Sequence, residues 1–508
     1  MCATTYAKDY TKKVWRFYGG ESRFVDAWFS SIIRSVRRTQ FSLLCWCAQA
    51  NSEMYVSSFR ERVTLPLLLF ALGSLLFVFG CRAAPELPAA PSTPASTTTG
   101  STTTLTIWHT FTDQRRNTFE TLAQNFHQVY PDLVINPVYV GSRDDLTKQM
   151  NAAVALGSAP DLVLADRRQI AEFAAQGGLL PLDKFINDAD LGFAKEDKSD
   201  FLGGALQLGQ FPTLGNRSYG MPFDQEAFVL FYNADLLKTI NVNRAPRTWE
   251  QFAQYATTVT KDPVYGWAMR ANADTLEAML VSRGSALLTD AETRALFNER
   301  AGLASLQMVA DLNEGGVAKL AASDEKAQRE FASGNAAFYL GWLSELETLQ
   351  AMQKEAKTDF EIGVAPLPQL DPQTPWLLTR GNLFGIPIAP QGRTDGERAR
   401  NAWFFVRWIT APTQSAQWVR ATNAIPLRAS TLQFIAPDLA KNPRFRQIAT
   451  AFDGVLPDLA PQPAHSYMDR IEEMVAGLWL QAVEPKANLP ALLDDAAQRV
   501  NQVLAVKP

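Results

Sequence analysis

From Leu105 onward the hydrophobic positions fall into short runs whose period switches between that of a strand and that of a helix. Residues 105–108, Leu-Thr-Ile-Trp, form a short β-prone run, and residues 114–130 then place Phe119, Leu122, Ala123 and Phe126 on one helical stripe. A second strand is predicted at 133–140 and a second helix at 144–156. A third strand follows at 161–165, and another helix runs to Gly177 and Gly178. Strict alternation of this kind implies parallel pairing, right-handed crossovers and a doubly wound α/β sheet. In such sheets ligands bind beyond the carboxyl ends of the strands. Farther along, 227–232 reads as a strand, 249–259, 304–313 and 402–409 read as helices, and the last 90 or so residues read as almost wholly helical. No internal repeat recurs at a fixed period.

The chain before Leu105 follows different rules. Residues 63–80 form an uncharged apolar run preceded by Arg60 and Arg62 and closed by Gly80 before Cys81, the order of a secretory signal. Its end, Val78-Phe79-Gly80-Cys81, resembles a bacterial lipobox, whose cysteine is lipidated and becomes the first residue of the mature chain. Phe79 departs from the small or β-branched residue usual there. The alternative is an uncleaved anchor, since 18 apolar residues just span a bilayer; either way the body lies outside the cytoplasmic membrane. Met54 makes a natural start for this signal, so residues 1–53 read as a mis-assigned start or an unprocessed extension. After Cys81, residues 82–104 are rich in Pro, Ser, Thr and Ala and lack the apolar surface to fold. They read as a tether whose extended reach approaches roughly 70 Å.

Composition narrows the function. Up to Cys81 there are 10 Lys/Arg against 5 Asp/Glu, leaving 38 against 47 beyond it, so the body is acidic and carries no basic cluster of the kind a nucleic-acid backbone needs. All four cysteines, Cys2, Cys45, Cys47 and Cys81, precede the body, which therefore contains no disulfide framework, thiolate zinc site or thiol nucleophile. The three histidines, His109, His127 and His465, are far apart. No HExxH, GxSxG, phosphate-binding loop or calcium loop occurs, and no cofactor or metal is expected. Carboxylates are numerous enough to supply a glycosidase pair, so a lipid-anchored carbohydrate-active enzyme is the rival class, separable by turnover. A tethered adhesion or sensor module is a third reading, one in which uptake would not depend on the protein.

Several segments, taken in order, resemble bacterial extracellular solute-binding proteins, the family of maltose- and other sugar-binding components of ABC importers. LTIWHTFTD with FHQVYPDLVINPVYV looks like the family's first strand, helix and second strand, and GSAPDLVLADRRQIAEFAAQGGLLPLD its third strand and following helix. Tyr219-Gly220-Met221-Pro222 with AFVLFYNADLL and PRTWEQF is similar to its central block; FASGNAAFYLGW, IGVAPLP and AWFFVRWITAPTQSAQW complete the series over 105–506. The resemblance implies a two-lobed periplasmic-binding-protein type II fold. Each lobe would be a mixed, mostly parallel sheet flanked by helices, with a ligand cleft at the hinge. The first lobe would span 105–225, the second 226–364, a return segment 365–410, and a C-terminal helical part of the second lobe 411–508. The chain would leave the first lobe near 223–226, return near 365–366 and cross again near 410–412. The implied function is to capture a small solute, most simply a sugar, and deliver it to membrane permease subunits, as a monomer held to the membrane by lipidated Cys81. Glycerol phosphate or another small anion is the alternative ligand.

A sugar site needs planar side chains for stacking and charged or amide groups for hydrogen bonds. By resemblance, Asp113 is a hydroxyl acceptor with Trp108, His109 and Gln114 beside it, although an aspartate there also suits a helix N-cap. Arg167 and Arg168 follow the third strand, where cleft residues belong; exposed arginines also serve simply as a solvated face. Glu226 aligns with an acidic ligand contact or forms a hinge ion pair. Trp342, after a strand and Gly341, resembles a stacking tryptophan, with core burial as the alternative. Tyr467 resembles a further aromatic contact, and Arg380 and Asn382 precede an apolar strand within reach of the cleft. The arginines keep a phosphorylated ligand in play, because a guanidinium pairs with phosphate bidentately.

Overall fold

A computed structural model describes residues 102–388, 396–422, 424–439 and 456–506. The extension, the signal, Cys81 and nearly all of the tether lie outside the described residues. The first lobe opens with strand β1 (Thr103–His109), helix α1 (Asp113–Val129), β2 (Leu133–Tyr139), α2 (Arg143–Leu156), β3 (Leu162–Asp166) and α3 (Arg167–Ala175). Two of these helices begin in capping boxes: Ser142 with Asp145 at α2, and Asp166 with Gln169 at α3. The Asp166 cap stops β3 and starts α3 within one residue, which puts Arg167 and Arg168 at the strand's carboxyl end. Short helices α4 (Asp183–Ile186) and α5 (Lys195–Asp200) and a small ribbon of β4 (Gln210–Phe211) and β5 (Arg217–Ser218) lead to the long strand β6 (Met221–Asn233).

The second lobe contributes α6 (Ala234–Thr239), α7 (Trp249–Val259), β7 (Tyr265–Met269), α8 (Ala273–Ser282), α9 (Arg300–Glu314), β8 (Ala318–Leu320), α10 (Asp324–Ala332), β9 (Ala336–Trp342), α11 (Leu346–Ala356) and β10 (Ile362–Pro366). The chain then runs through β11 (Trp376–Gly385), α12 (Gly396–Ile409), α13 (Pro412–Thr422), α14 (Thr431–Leu439), β12 (Asp458–Pro461), α15 (Met468–Ala482) and α16 (Leu489–Leu504). The strands follow the order β2-β1-β3-β11-β6-β9-β7-β8, with β10 beside β6 and β12 beside β11. At each end of this path pairing is parallel, as alternation predicts (β1 with β2 and β3, β7 with β8 and β9). At the middle it is antiparallel, because β11 runs back against both β3 and β6.

That middle is the waist between the lobes. Met221 to Ala227 of β6 pair with β11 in the first lobe, whereas Phe228 to Tyr232 pair with β9 in the second. Strand β11 returns the chain, so the return lies beyond the expected 365–366, which stay paired to β6 within β10. The last crossing also comes later than 410–412. Helices α12 and α13 pack on the first lobe: the Trp403 indole donates to the Leu191 carbonyl (2.9 Å), and the Trp418 ring lies 4.6 Å from Phe223 and 5.1 Å from Phe111. The apolar stripe that marks α13 as a helix does not say which lobe it covers. The chain finally crosses at β12, a short strand inside the stretch expected to be almost wholly helical, and α15 and α16 close the second lobe around Trp267 and Trp479.

Candidate ligand-binding cleft

Three strand segments side by side at the waist, β6, β11 and β12, form the floor of a cleft of about 540 Å³. The loop after β1 (Thr110, Phe111, Thr112), the start of α3 and Arg143 form its first-lobe wall, while Asp274, Ser344 and Glu472 form its second-lobe wall. Its position beyond the carboxyl ends of β1 and β3 is where a doubly wound sheet places a ligand.

The first-lobe wall is rich in arginine. Arg143 pairs with Asp166 (2.5 Å). Arg168 reaches across the cleft to Glu472 and Asp469 (3.1 Å to the latter). Arg167 differs: its Nε donates to the Gln462 carbonyl (3.1 Å), Nη1 donates to the Leu208 carbonyl, and its guanidinium lies 4.5 Å over the Phe211 ring. Burial lowers its pKa to about 10, with Glu292 acting the other way.

On the floor, Asp224 is buried and its carboxyl is pushed above the usual range by desolvation, against the pull of Arg115 (3.3 Å) and hydrogen bonds from Trp418 (3.1 Å) and Asn382 (3.3 Å). Glu226 accepts from Arg380 Nε (2.8 Å) and from the Ser344 amide (3.0 Å). The second-lobe wall is acidic. Asp274 accepts from the Trp342 indole (2.7 Å) and from Gln462 Nε2 (2.8 Å), and Gln462 also donates to Glu277 (3.2 Å). Burial, then the neighbouring Asp274 charge, drives the Glu277 carboxyl well above an ordinary glutamate. Burial likewise raises Glu472, opposed by Arg168.

Of the residues singled out from the sequence, Arg167, Arg168, Glu226, Arg380 and Asn382 line the cleft together. The others sit elsewhere. His109 is fully buried under the rim loop, where its Nδ1 accepts from the Phe111 amide (3.1 Å), and burial lowers its pKa to about 4. Trp108 packs against the cluster containing Met150 and Ile170. Asp113 and Gln114 are exposed on the first turn of α1, whose N-cap is Thr112, and Gln114 bonds Thr118 (3.3 Å). Tyr467 precedes α15, beside His465. Trp342 is 2% exposed and does not line the cleft, to which it is linked by the hydrogen bond from its indole N–H to Asp274. Sequence reasoning missed Arg115, Arg143, Asp224, Asp274 and Glu472. For Asp224 there was a signal, since it stands two residues from Glu226 on one strand and so shares its face. Asp274 and Glu472 come from distant helices, and no spacing links them.

The geometry has relatives. Residues 112–416, more than half the chain, match the family described as bacterial extracellular solute-binding protein. The sn-glycerol-3-phosphate-binding periplasmic protein UgpB of Escherichia coli is 20% identical over 422 residues, 79% of this chain and 92% of that protein. Among solved structures, the cyclic α-maltosyl-1,6-maltose binding protein of Arthrobacter globiformis superposes with a TM-score of 0.65 at 19% identity, covering 80% of this chain and 99% of that one. UgpB of Mycobacterium tuberculosis in complex with glycerophosphocholine superposes with a TM-score of 0.59 at 23% identity, covering 80% and 98%. Fold and family match agree: this chain belongs to the bacterial extracellular solute-binding proteins.

Proposed function

We propose that the protein is the extracytoplasmic substrate-binding component of an ABC importer, that it holds a sugar or sugar-like solute between its lobes, and that it releases this solute unaltered to a permease. The observation that carries the reading is the pairing of guanidinium donors on one wall with carboxylate acceptors on the other. A hydroxyl both donates and accepts, so a polyhydroxylated ligand matches both walls, and charge-assisted hydrogen bonds are the strong ones. Arg167, Arg168, Glu226, Arg380 and Asn382 are the proposed contacts, joined by Asp224 and Asp274. The maltosyl-maltose-binding relative supports a sugar.

One observation favours a second ligand class. Arg167 donates to backbone carbonyls, and no carboxylate among the described residues lies within ion-pair distance of it, so its charge is available to an anion such as glycerol phosphate. Two relatives bind glycerol-phosphate compounds. Calorimetric titration of the protein with maltose and with sn-glycerol 3-phosphate separates the two, and chromatography of the recovered ligand tests for turnover. Heat from the phosphate alone transfers the assignment to the second class; a chemically altered ligand sinks the binding-protein reading. Membrane attachment through lipidated Cys81 is part of the proposal, and labelled palmitate still incorporated after Cys81→Ser would remove it.

A further inference from the structure

We propose that Arg380 determines specificity by sealing the face of Trp342 from the cleft, so that the site reads a ligand by its hydroxyl or charged edge and rejects one that binds by laying an apolar ring face on the indole. The inference rests on the reading of the cleft as a solute site.

Trp342 ends β9 directly opposite Phe228 of β6, and its indole stands edge-on to the Phe228 ring at 5.1 Å and 86°. Its neighbours Glu226, Asp274, Ser344 and Arg380 all line the cavity, yet the tryptophan is 2% exposed. What covers it is Arg380, whose guanidinium carbon lies 4.1 Å over the ring. The indole is therefore one side chain's thickness below the cleft surface. A guanidinium over an indole is held by cation–π attraction as well as by its ion pairs.

The cover is anchored on three sides. Arg380 faces Glu226 in register across the β11–β6 pair, and their side chains meet at 2.8 Å. Asp274, which already accepts the indole N–H, stands 3.9 Å from Nη1 of the same guanidinium. Gly381 brings the two strands close at this point, since a Cβ there would sit 1.8 Å from the Asp224 carbonyl oxygen, and this fixes where Arg380 leaves the strand. A ligand entering the cleft meets N–H donors and carboxylates, with the π face already occupied. A pyranose that stacks must displace a paired guanidinium, whereas a polyol that hydrogen-bonds at its edge need not.

The test uses the whole protein and two probes, maltose, which has apolar ring faces, and sorbitol, which has hydroxyls and no ring. Acrylamide quenching is measured first without any ligand. The contribution of Trp342, taken as the difference between each protein and its Trp342→Leu counterpart, is expected to rise at least threefold in Arg380→Ala. The ratio of maltose to sorbitol affinity is then expected to rise at least tenfold in Arg380→Ala relative to the parent protein, a comparison that needs no change at Trp342. Unchanged quenching, or equal weakening of both probes by Arg380→Ala, overturns the proposal. A rise in quenching with neither probe bound by either protein sinks the sugar reading of the cleft while leaving the cover over Trp342 established.

Discussion

The two walls of the cleft carry opposite charge and stand on different supports. The first-lobe wall presents Arg115, Arg143, Arg167 and Arg168 from the starts of three helices, α1, α2 and α3; the second presents Asp274 and Glu472 from helices, with Glu277 behind them. Like charges crowded on one wall repel, and each wall is relieved when the other approaches, so the sign difference draws the lobes together. The supports differ in kind. Beneath the basic wall a buried histidine pins the rim loop by one hydrogen bond, and beneath the acidic wall a buried tryptophan both fills the core and holds Asp274. Substitutions under either wall therefore test whether the walls act independently.

The largest effect is expected under the acidic wall. Trp342 is packed edge-on to Phe228 within the second-lobe core, so Trp342→Ala should cost about 3–5 kcal/mol of stability as cavity and transfer terms add. Denaturant titration measures it. A loss below about 1 kcal/mol would mean the indole is a replaceable ligand contact and not a support. The basic wall should yield a smaller, pH-dependent effect. The His109 pKa falls from 6.5 to about 4 on folding, so the neutral ring is stabilising above pH 6.5, and that stability drains away as pH falls from 6.5 through 4. The full loss is about 3 kcal/mol, because each tenfold change in proton affinity corresponds to about 1.4 kcal/mol. His109→Asn, whose amide oxygen replaces Nδ1 as acceptor for the Phe111 amide, should lose about that much less stability than the parent over the same interval. A variant as acid-sensitive as the parent would place the effect elsewhere.

How these walls arise was legible in the sequence to unequal degrees. The β1–α1–β2–α2–β3–α3 series was legible locally, because the helices each bury one face, β3 is a short apolar run buried on both, and the caps Ser142 and Asp166 lie beside the helices they start. Resemblance supplied the two lobes but assigned α13 to the second, whereas it packs on the first: that depends on Trp418 finding Phe223 and Asp224, a long-range match that no local pattern encodes. Arg167, Arg168 and Glu226 were readable because strand ends and a long central strand point to a cleft. His109 and Trp342 were placed in the site by their chemistry and lie under it by burial; a polar or aromatic residue type does not reveal whether it faces ligand or supports what does. Asp274 and Glu472 join the acidic wall only through the path of β12, which brings α15 beside α8.

The smallest expected effect concerns the tie between the walls. Arg168 and Glu472 are each about one-quarter exposed, so the pair lies between a surface ion pair and a buried one, and removing one partner should cost about 1–2 kcal/mol. If the pair forms as the lobes close, that cost falls on the closed state and appears as roughly five- to thirty-fold weaker ligand binding. Arg168 also lines the cleft, so Arg168→Met alone does not separate a tie from a ligand contact, but Glu472→Gln on the opposite wall does. A tie predicts equal losses in the two single variants and no further loss in the double variant. A direct contact predicts a larger loss for Arg168→Met and additive effects. Acidity gives an independent reading: Glu472 takes up its proton at a higher pH than an ordinary glutamate because burial disfavours its charge, and the tie needs that charge. Ligand affinity of the parent protein should therefore weaken as pH falls through that raised range, and the Glu472→Gln variant, which has no charge there to lose, should not follow it.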